Sequence, residues 1–533
     1  MYKRQHTYGL GGTPHLHQPP SAHPNEVGRQ PARYVMAEPN GIQFDAIPPD
    51  QRASKTSLPD PVFRPAVDRY WARLGEVAKA FLPMGFIAFG GPAAHIGLFL
   101  KTFVEKGKWL DEQRFMELMS LGQAMPGPTS TQMATAMGIS RAGVLGGLVS
   151  FWLFDWVGFV VQLGVGTAIH YFEDSASKQG LDTYRMVMNG MGPSAIALVF
   201  GAAYALGNKA CGNDPVRILL ALTMCIVALL VQDARIAAYV YIGAMLIGGV
   251  ITVIDARRPS RAEAYKLVLQ TPSDKGVLKR IGISKLAGVL LIVITFGLFL
   301  ATQLLLYIQA STLGVSGARL LAVFATLYKM GISIYGGGQV VLPMLELEFV
   351  DRTGYANGTV GASLGTMPVD AQTFGFGLAL AQSMPGPLFN FSAFLGAVVQ
   401  GVPGGLVGFL GLFGPGIMLI YAFMPFWESA RQHQWVRCLF VGMNASSVGL
   451  VFAACVTLFQ KYCRNGAEAS VCMLAMVLTH RFKVWPPVAI FGCAGLCLVL
   501  FFLDVHGTYG DWCHVSKYGD FSTQPHRALA CID

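Results

Sequence analysis

The sequence predicts an all-α polytopic membrane protein made of two repeats of one helical unit. Three observations point there. Hydrophobic residues make up 53% of the 533 residues and charged residues only 13%, whereas soluble domains carry about a quarter charged. Apolar runs recur from about residue 80 to 503, many near the roughly 20 residues that cross a bilayer. The same Gly/Pro motifs then appear, in the same order, in both halves. The abundance of glycine (62 residues) agrees, because glycine is commoner in membrane helices than in soluble ones.

The elements follow in chain order. Residues 1–65 hold eleven of the 29 prolines and four of the eleven histidines, with little apolar patterning. Such a composition cannot bury a core, so residues 1–70 are expected to be a disordered cytoplasmic tail. It lacks the short apolar core of a secretory signal. His15 and His17 read as part of a solvated tail, and no metal site is expected. A basic stretch (Arg64, Arg69, Arg73, Lys79) leads into the first apolar run. About thirteen spans are expected, near 80–103, 115–137, 142–168, 184–207, 216–232, 235–254, 285–308, 319–346, 373–400, 403–425, 436–459, 469–480 and 484–503. They divide into a first repeat at 75–254, a basic loop at 255–284, a linker helix at 285–308, a second repeat at 315–503 and a polar C-terminal tail at 504–533.

The basic loop carries Arg257, Arg258, Arg261, Lys266, Lys275, Lys279 and Arg280, and the positive-inside rule places it in the cytoplasm. Six spans precede it, which puts the N-terminus on the same side. The turns near 101–114 and 346–372 run against this orientation. The net charge of +9 reads mainly as cytoplasmic anchoring, and a basic mouth would also attract anions. Ten cysteines show no CxxC and no Cys/His metal spacing. Cys225, Cys438, Cys455, Cys472, Cys493 and Cys497 fall in apolar segments, where a thiol packs as a small hydrophobe. Cys513 and Cys531 lie in the tail and could pair only in an oxidising space.

The repeats are explicit. Phe89-Gly-Gly-Pro92 corresponds to Tyr335-Gly-Gly-Gly338, Gln123-Ala-Met-Pro-Gly-Pro128 to Gln382-Ser-Met-Pro-Gly-Pro387, and Gly146-Gly147-Leu148 to Gly404-Gly405-Leu406. Leu198-Val-Phe-Gly-Ala-Ala203 matches Leu450-Val-Phe-Ala-Ala-Cys455. With an unpaired linker helix between them, two six-span units run in opposite senses, a transporter architecture whose substrate site lies at Gly/Pro-interrupted segments. Pro126 and Pro128 cannot continue the helical ladder, and Gly127 allows a sharp turn. Pro128 suits the start of a new helix. The amides of Thr129, Ser130 and Thr131 would then be orphan donors at a partially positive helix end, which binds anions. Gly90, Gly91 and Pro92 could present the amides of Ala93, Ala94 and His95 likewise. The plainer alternative is that these motifs only kink packed helices.

Candidate substrate-binding residues are therefore Gly90, Gly91, Pro92, His95, Gln123, Pro126, Gly127, Pro128, Thr129, Ser130, Thr131 and Gln132 in the first half. In the second they are Lys329, Gly336, Gly337, Gly338, Gln339, Gln382, Pro385, Gly386, Pro387 and Asn390. The first half, with Thr129-Ser-Thr-Gln132, is richer in donors than the apolar stretch from Leu388. Lys329 lies inside a span, where a charge is costly and usually functional. It could attract an anion, snorkel or pair. His95 could donate to an oxyanion or carry a proton.

Phe89-Gly-Gly-Pro-Ala-Ala-His-Ile96, Phe103-Val-Glu-Lys-Gly-Lys-Trp109 and the Gln123–Gln132 motif resemble the first half of the chromate ion transporter family. Tyr335-Gly-Gly-Gly-Gln-Val-Val-Leu-Pro343, Ala381-Gln-Ser-Met-Pro-Gly-Pro-Leu-Phe389 and Gly442-Met-Asn-Ala445 resemble its second half, in the long two-domain form. The resemblance covers about 75–460, and more weakly the chain to 503. It implies a plasma-membrane carrier that exports chromate, with sulfate as the related oxyanion, no cofactor and no redox chemistry. The lipid bilayer is the expected partner, a homodimer is one assembly it allows, and nucleic acid is not expected. Two positions depart from the family pattern. Gln339 stands where His is often expected, and Asp155 stands in a span where no acid is expected.

A dianion leaving an inside-negative cell gains about 4.6 kcal/mol per 100 mV, so export could run on the potential or on ion coupling. The alternatives are a carrier for another anion, or a membrane-embedded lipid-head-group enzyme or flippase. An enzyme is not expected. The sequence has no HExxH, no GxSxG elbow and no Walker A motif. Of the sequons at Asn357, Asn390 and Asn444, only Asn357 lies in a loop.

Overall fold

The computed structural model describes residues 66–175, 178–231, 233–261, 263–265, 283–308, 315–335, 338–350, 369–430, 432–463 and 466–503. Most of the two tails, Gly336, Gly337, Asn357 and most of the basic loop fall outside these residues. Among the described residues every regular element is helical. The first helix starts at Ala66, inside the segment read as tail to residue 70.

Two expected spans of the first half turn out to be broken. Helix α1 (Ala66–Ile87) stops at Ala88, and the chain turns through Gly90 (φ 91°) and Gly91 (φ 75°) before α2 (Gly91–Phe99), which runs on into a wide turn at Leu100–Lys106. Side-chain-bearing residues rarely adopt that backbone. Helix α3 (Glu112–Ala124) is capped by Asp111, whose carboxylate accepts from Arg114 N at 2.8 Å. It has 13 residues, or about 20 Å, which is short of a roughly 30 Å hydrocarbon core. The Pro-Gly-Pro turn follows, and α4 (Thr129–Ser175) begins directly after it.

Helix α4 is itself a hairpin. Ala142 (φ −135°) and Gly143 (φ 67°) leave helical geometry, and the arms 129–141 and 144–175 fold back on each other. A Cβ on Gly138 would lie 2.3 Å from the Gly146 carbonyl. Along a straight helix those residues would stand about 12 Å apart. The small residues at the bend therefore let two backbones touch.

After α5 (Lys178–Ala210), α6 (Pro215–Leu230), α7 (Ala234–Asp255), α8 (Lys285–Ile308) and α9 (Val315–Ser333), the second half repeats the design. Tyr335 to Val341 separates α9 from α10 (Leu342–Phe349). Helix α11 (Ala371–Ser383) is capped by Asp370 and ends at the second Pro-Gly-Pro. Helix α12 (Phe391–Ala430) breaks at Gln400 and Gly401 (φ 59°), where Gly396 meets the Gly404 carbonyl. The remaining helices are α13 (Gln434–Tyr462), α14 (Gly466–Met476) and α15 (Pro486–Leu503).

Six segments of the described helices are long and apolar enough to cross a membrane: Thr129–Tyr171, Gly190–Ala210, Ile236–Asp255, Lys285–Leu306, Leu388–Trp427 and Gln434–Tyr462. The repeated glycines and prolines divide four of the thirteen expected spans into shorter helices. The long arms of α4 and α12 pack face to face through Phe151, Phe159, Phe409 and Phe413, with Phe159 and Phe409 ring centres 4.5 Å apart. Around this pair, α13 packs on α5, α6 and α7, and α5 packs on α11, α14 and α15. The linker helix α8 exposes Leu286, Val293 and Leu300, a surface suited to lipid.

One polar cluster fixes the α6–α7 end. Arg261 bridges Asp214 (2.6 Å) and Asp255 (2.9 Å), and Tyr265 donates to Asp255 (3.1 Å). Burial alone would raise Asp214. The Arg217 amide and the Arg261 guanidinium outweigh it and hold the carboxyl below the usual range. Burial, reinforced by the Asp255 charge, pushes the Tyr265 hydroxyl up to about 12.

Candidate functional site at the crossing of the broken helices

The two Pro-Gly-Pro turns are each held by the other repeat. The Gly127 amide donates to the Ile334 carbonyl at 2.8 Å, and the Gly386 amide donates to the Ala88 carbonyl at 2.7 Å. Ala88 and Ile334 occupy matching places, each two residues before its repeat's glycine run. The long arms complete the exchange. Gly416 of α12 packs on Pro126, Gly127 and Pro128, while Gly158 of α4 packs on Pro385 and Asn390. Gln132 Nε2 donates to both Pro126 O (2.6 Å) and Gly416 O (3.1 Å). The amides of Gly127 and Gly386 are thus committed to the scaffold.

The first turn of α4 is differently placed. Its first helical bond is Gln132 N to Pro128 O at 2.9 Å, so the amides of Thr129, Ser130 and Thr131 precede the ladder. Their side chains are buried, and Ser130 is only 1% exposed. Thr131 Oγ1 donates to Asp155 Oδ1 at 3.2 Å. Asn390, at the matching place of the second repeat, instead lies against Gly158, where a Cβ would be 2.3 Å from its Nδ2. Asp155, Gly158 and Gln162 share one face of the long arm, at i, i+3 and i+7. Ser130 Oγ, Gln132 Oε1, Asp155 Oδ2, both amide atoms of Asn390 and both of Gln162 are buried without a hydrogen-bond partner. Each such atom costs about 1–3 kcal/mol unless something satisfies it. Ser130 and Gln132 belong to the first turn of α4, Asp155 and Gln162 to its long arm, and Asn390 lies against Gly158 between those two.

The other candidates are distributed around this crossing. His95 Nε2 lies 2.9 Å from the Ala88 carbonyl. A carbonyl only accepts, so Nε2 carries the proton and Nδ1 is an acceptor. His95 therefore shares Ala88 O with the Gly386 amide and steadies the break, and its ring packs edge-on against Phe154 at 5.3 Å. Gly90, Gly91 and Pro92 form the turn and the first turn of α2. Gln123 is half-buried near the end of α3. In the second repeat Gln382 Nε2 donates to Gln339 Oε1 at 3.4 Å, and Gly338 packs on Leu388 and Phe389. Pro385, Gly386 and Pro387 are buried in their turn. Gly336 and Gly337 lie outside the described residues.

Lys329 is buried and paired with Glu348 of α10, so its charge is compensated within the scaffold. Glu346 pairs with Lys461 at 3.3 Å beside a cavity of about 280 Å³ lined by Tyr241, Thr457 and Gln460 among others. Among the described residues no group of His, Cys, Asp and Glu is arranged to hold a metal. Sequence reasoning missed Gln162, Gly158 and Gly416. The available signal for Gln162 was a lone amide in an apolar run, seven residues after Asp155.

A family model described as "Chromate transporter" matches residues 75–252 and again 321–498. The chain is 23% identical over 429 residues to a "Probable chromate transport protein" of Synechococcus elongatus, covering 80% of this chain and 95% of that protein. It is 23% identical over 438 residues to the "Chromate transport protein" of Cupriavidus metallidurans, covering 81% and 94%. It is 24% identical over 385 residues to that of Pseudomonas aeruginosa, covering 72% and 81%. No solved structure matches the chain.

Proposed function

This chain belongs to the chromate transporter family, and from that premise we propose that it exports chromate across the plasma membrane, holding the anion where the two broken helices cross. It is an integral membrane transporter and not an enzyme. The observation that supports the site is that Asp155, joined to Thr131 of the first turn of α4, and Asn390, packed against Gly158, both carry buried polar atoms without partners, as does Ser130. Free helix-end amides and hydroxyls suit a tetrahedral oxyanion. Sulfate shares that shape and charge and is the related substrate.

The exchange of equivalent bonds between repeats supports a two-fold relation, because each partner then offers the other the same group. An axis in the membrane plane would give the two repeats inverted topology, with the unpaired α8 restoring the count between them. Rocking of one repeat against the other about this crossing would expose the site alternately. An outward-moving dianion gains about 4.6 kcal/mol per 100 mV of inside-negative potential, so the potential drives export.

The test is chromate flux into and out of proteoliposomes containing the purified protein, with imposed potential and sulfate as competitor. Potential-driven chromate movement that sulfate suppresses is the expected result. Correctly inserted protein with no chromate movement under either sign of potential overturns the reading.

A further inference from the structure

We propose that Asp155 and the bound oxyanion share one proton, so that each anion enters and leaves the site with a proton. This rests on the reading that the crossing is the anion site. Asp155 is fully buried on the long arm of α4. One oxygen, Oδ1, accepts from Thr131 Oγ1, and the other, Oδ2, has no partner. Thr131 stands in the same first turn whose amides would hold the anion, and Asn390 lies one turn along the same face. The carboxyl therefore borders the site without a compensating contact on its free oxygen.

The surrounding elements supply no cation to it among the described residues. From α1, Gly85 and Phe86 pack against Leu153 and Trp156, while Glu76 is paired with Arg141 near the hairpin bend and Lys79 lies six residues before Gly85. From α2, His95 and Phe99 pack on Phe154, and the His95 Nε2 proton is given to Ala88. From α12, Phe409 and Phe413 pack on Phe151, and Tyr421 donates to Val144 at 2.8 Å. Lys329, on α9, is paired with Glu348. His95 is a titratable side chain that packs on this part of the arm, and its Nε2 donor is committed.

A carboxylate and an oxyanion both only accept hydrogen bonds. Two such groups side by side cannot both remain ionised, just as two neighbouring carboxylates share one proton. The balance is one carboxylate, one dianion and one proton drawn from bulk water on the side to which the site opens, giving a single O–H–O bridge between Asp155 Oδ2 and an anion oxygen. On release to the other side the dianion and the proton both depart, so one net negative charge crosses per cycle and the gain is about 2.3 kcal/mol per 100 mV, not the value for the dianion alone; no bond to chromium is made or broken. Chromate is a weak second acid that can itself hold the proton near neutrality. Sulfate cannot, so with sulfate the proton must sit on Asp155.

The test uses wild-type protein and Asp155→Asn in proteoliposomes carrying an internal pH indicator. It is run with the potential clamped and at a pH where free chromate is fully dianionic. The expected wild-type result is a proton movement that accompanies chromate one for one. The apparent affinity should fall up to tenfold per pH unit as pH rises through the linked titration, because the complex holds one more proton than the separated partners. Asp155→Asn should abolish the proton signal and flatten the pH profile of whatever flux it keeps. Wild-type chromate flux without proton movement, or an Asp155→Asn variant with an unchanged pH profile, overturns the proposal while leaving the transport reading intact. Absence of wild-type chromate flux overturns the transport reading itself. If Asp155→Asn does not accumulate, the wild-type proton count alone decides.

Discussion

Two glycines on the long arm of α4 provide a sharp test of the crossing. An alanine at Gly158 would place its Cβ 2.3 Å from Asn390 Nδ2 and 2.9 Å from the Pro385 carbonyl. Non-bonded carbon contacts settle near 3.5–4.0 Å. The amide would have to swing by more than about an ångström, and the backbone carbonyl of the second Pro-Gly-Pro turn would have to retreat by several tenths. Overpacking of this kind costs about 1–3 kcal/mol. At Gly164, six residues on, a Cβ would meet nothing within 4 Å. Both substitutions gain the same helix preference of alanine over glycine, about 0.5–1 kcal/mol. The difference between the two variants therefore isolates the clash at about 1–3 kcal/mol. Thermal unfolding in detergent should rank Gly164→Ala at or above wild type and Gly158→Ala below it. Chromate flux should persist in the first and fall several-fold in the second, because Asn390 is displaced. If Gly158→Ala unfolds and transports like Gly164→Ala, the second turn does not rest on α4 and the crossing is wrong.

Ser130→Ala removes a hydroxyl with no partner in the fold. It should raise the stability of the anion-free protein by up to about 1–3 kcal/mol and weaken chromate affinity by about 10- to 100-fold, since hydrogen bonds to charged groups contribute about 1.5–3 kcal/mol; a competition curve identical to wild type refutes this. Gln132→Ala should behave oppositely in a melt, losing about 1–3 kcal/mol by stripping Pro126 O and Gly416 O of their shared donor. Lys329→Met removes the buried ammonium that pairs with Glu348 and should lower the melting temperature, since breaking a buried ion pair costs up to about 3–5 kcal/mol, with the double variant Lys329→Met/Glu348→Leu recovering part of it; equal melting of single and double variants would count against the pair. Asp214 has its carboxyl held low in the fold, so its contribution to stability is fully present above the ordinary carboxylate range near pH 4 and is lost as pH falls through the lower folded value. Asp214→Asn should therefore flatten the acid limb of a stability–pH profile and leave the limb above neutrality unaltered.

The sequence by itself determined the class of the protein, its repeats and the positions of its breaks. These are local matters: proline lacks a donor and glycine tolerates left-handed backbone, so Gly90, Gly127, Gly143, Gly386 and Gly401 mark turns wherever the chain goes. Hydropathy alone does not register a helix that stops halfway, so the apolar runs at 80–103 and 115–137 read as single spans although each holds two helices. Tertiary structure alone decided what those breaks touch. Gln132 looked like an anion donor, yet its amide reaches Gly416, 284 residues away. For Lys329 the sequence left anion attraction, snorkelling and pairing open, and α10 brings Glu348 beside it. Asp155 and Gln162 acquire their setting only when Thr131 folds back onto the arm and Asn390 arrives from the other repeat. Pairings between residues so far apart follow from the packing of whole helices and the contacts each repeat makes with the other's Pro-Gly-Pro turn, and no local pattern encodes them.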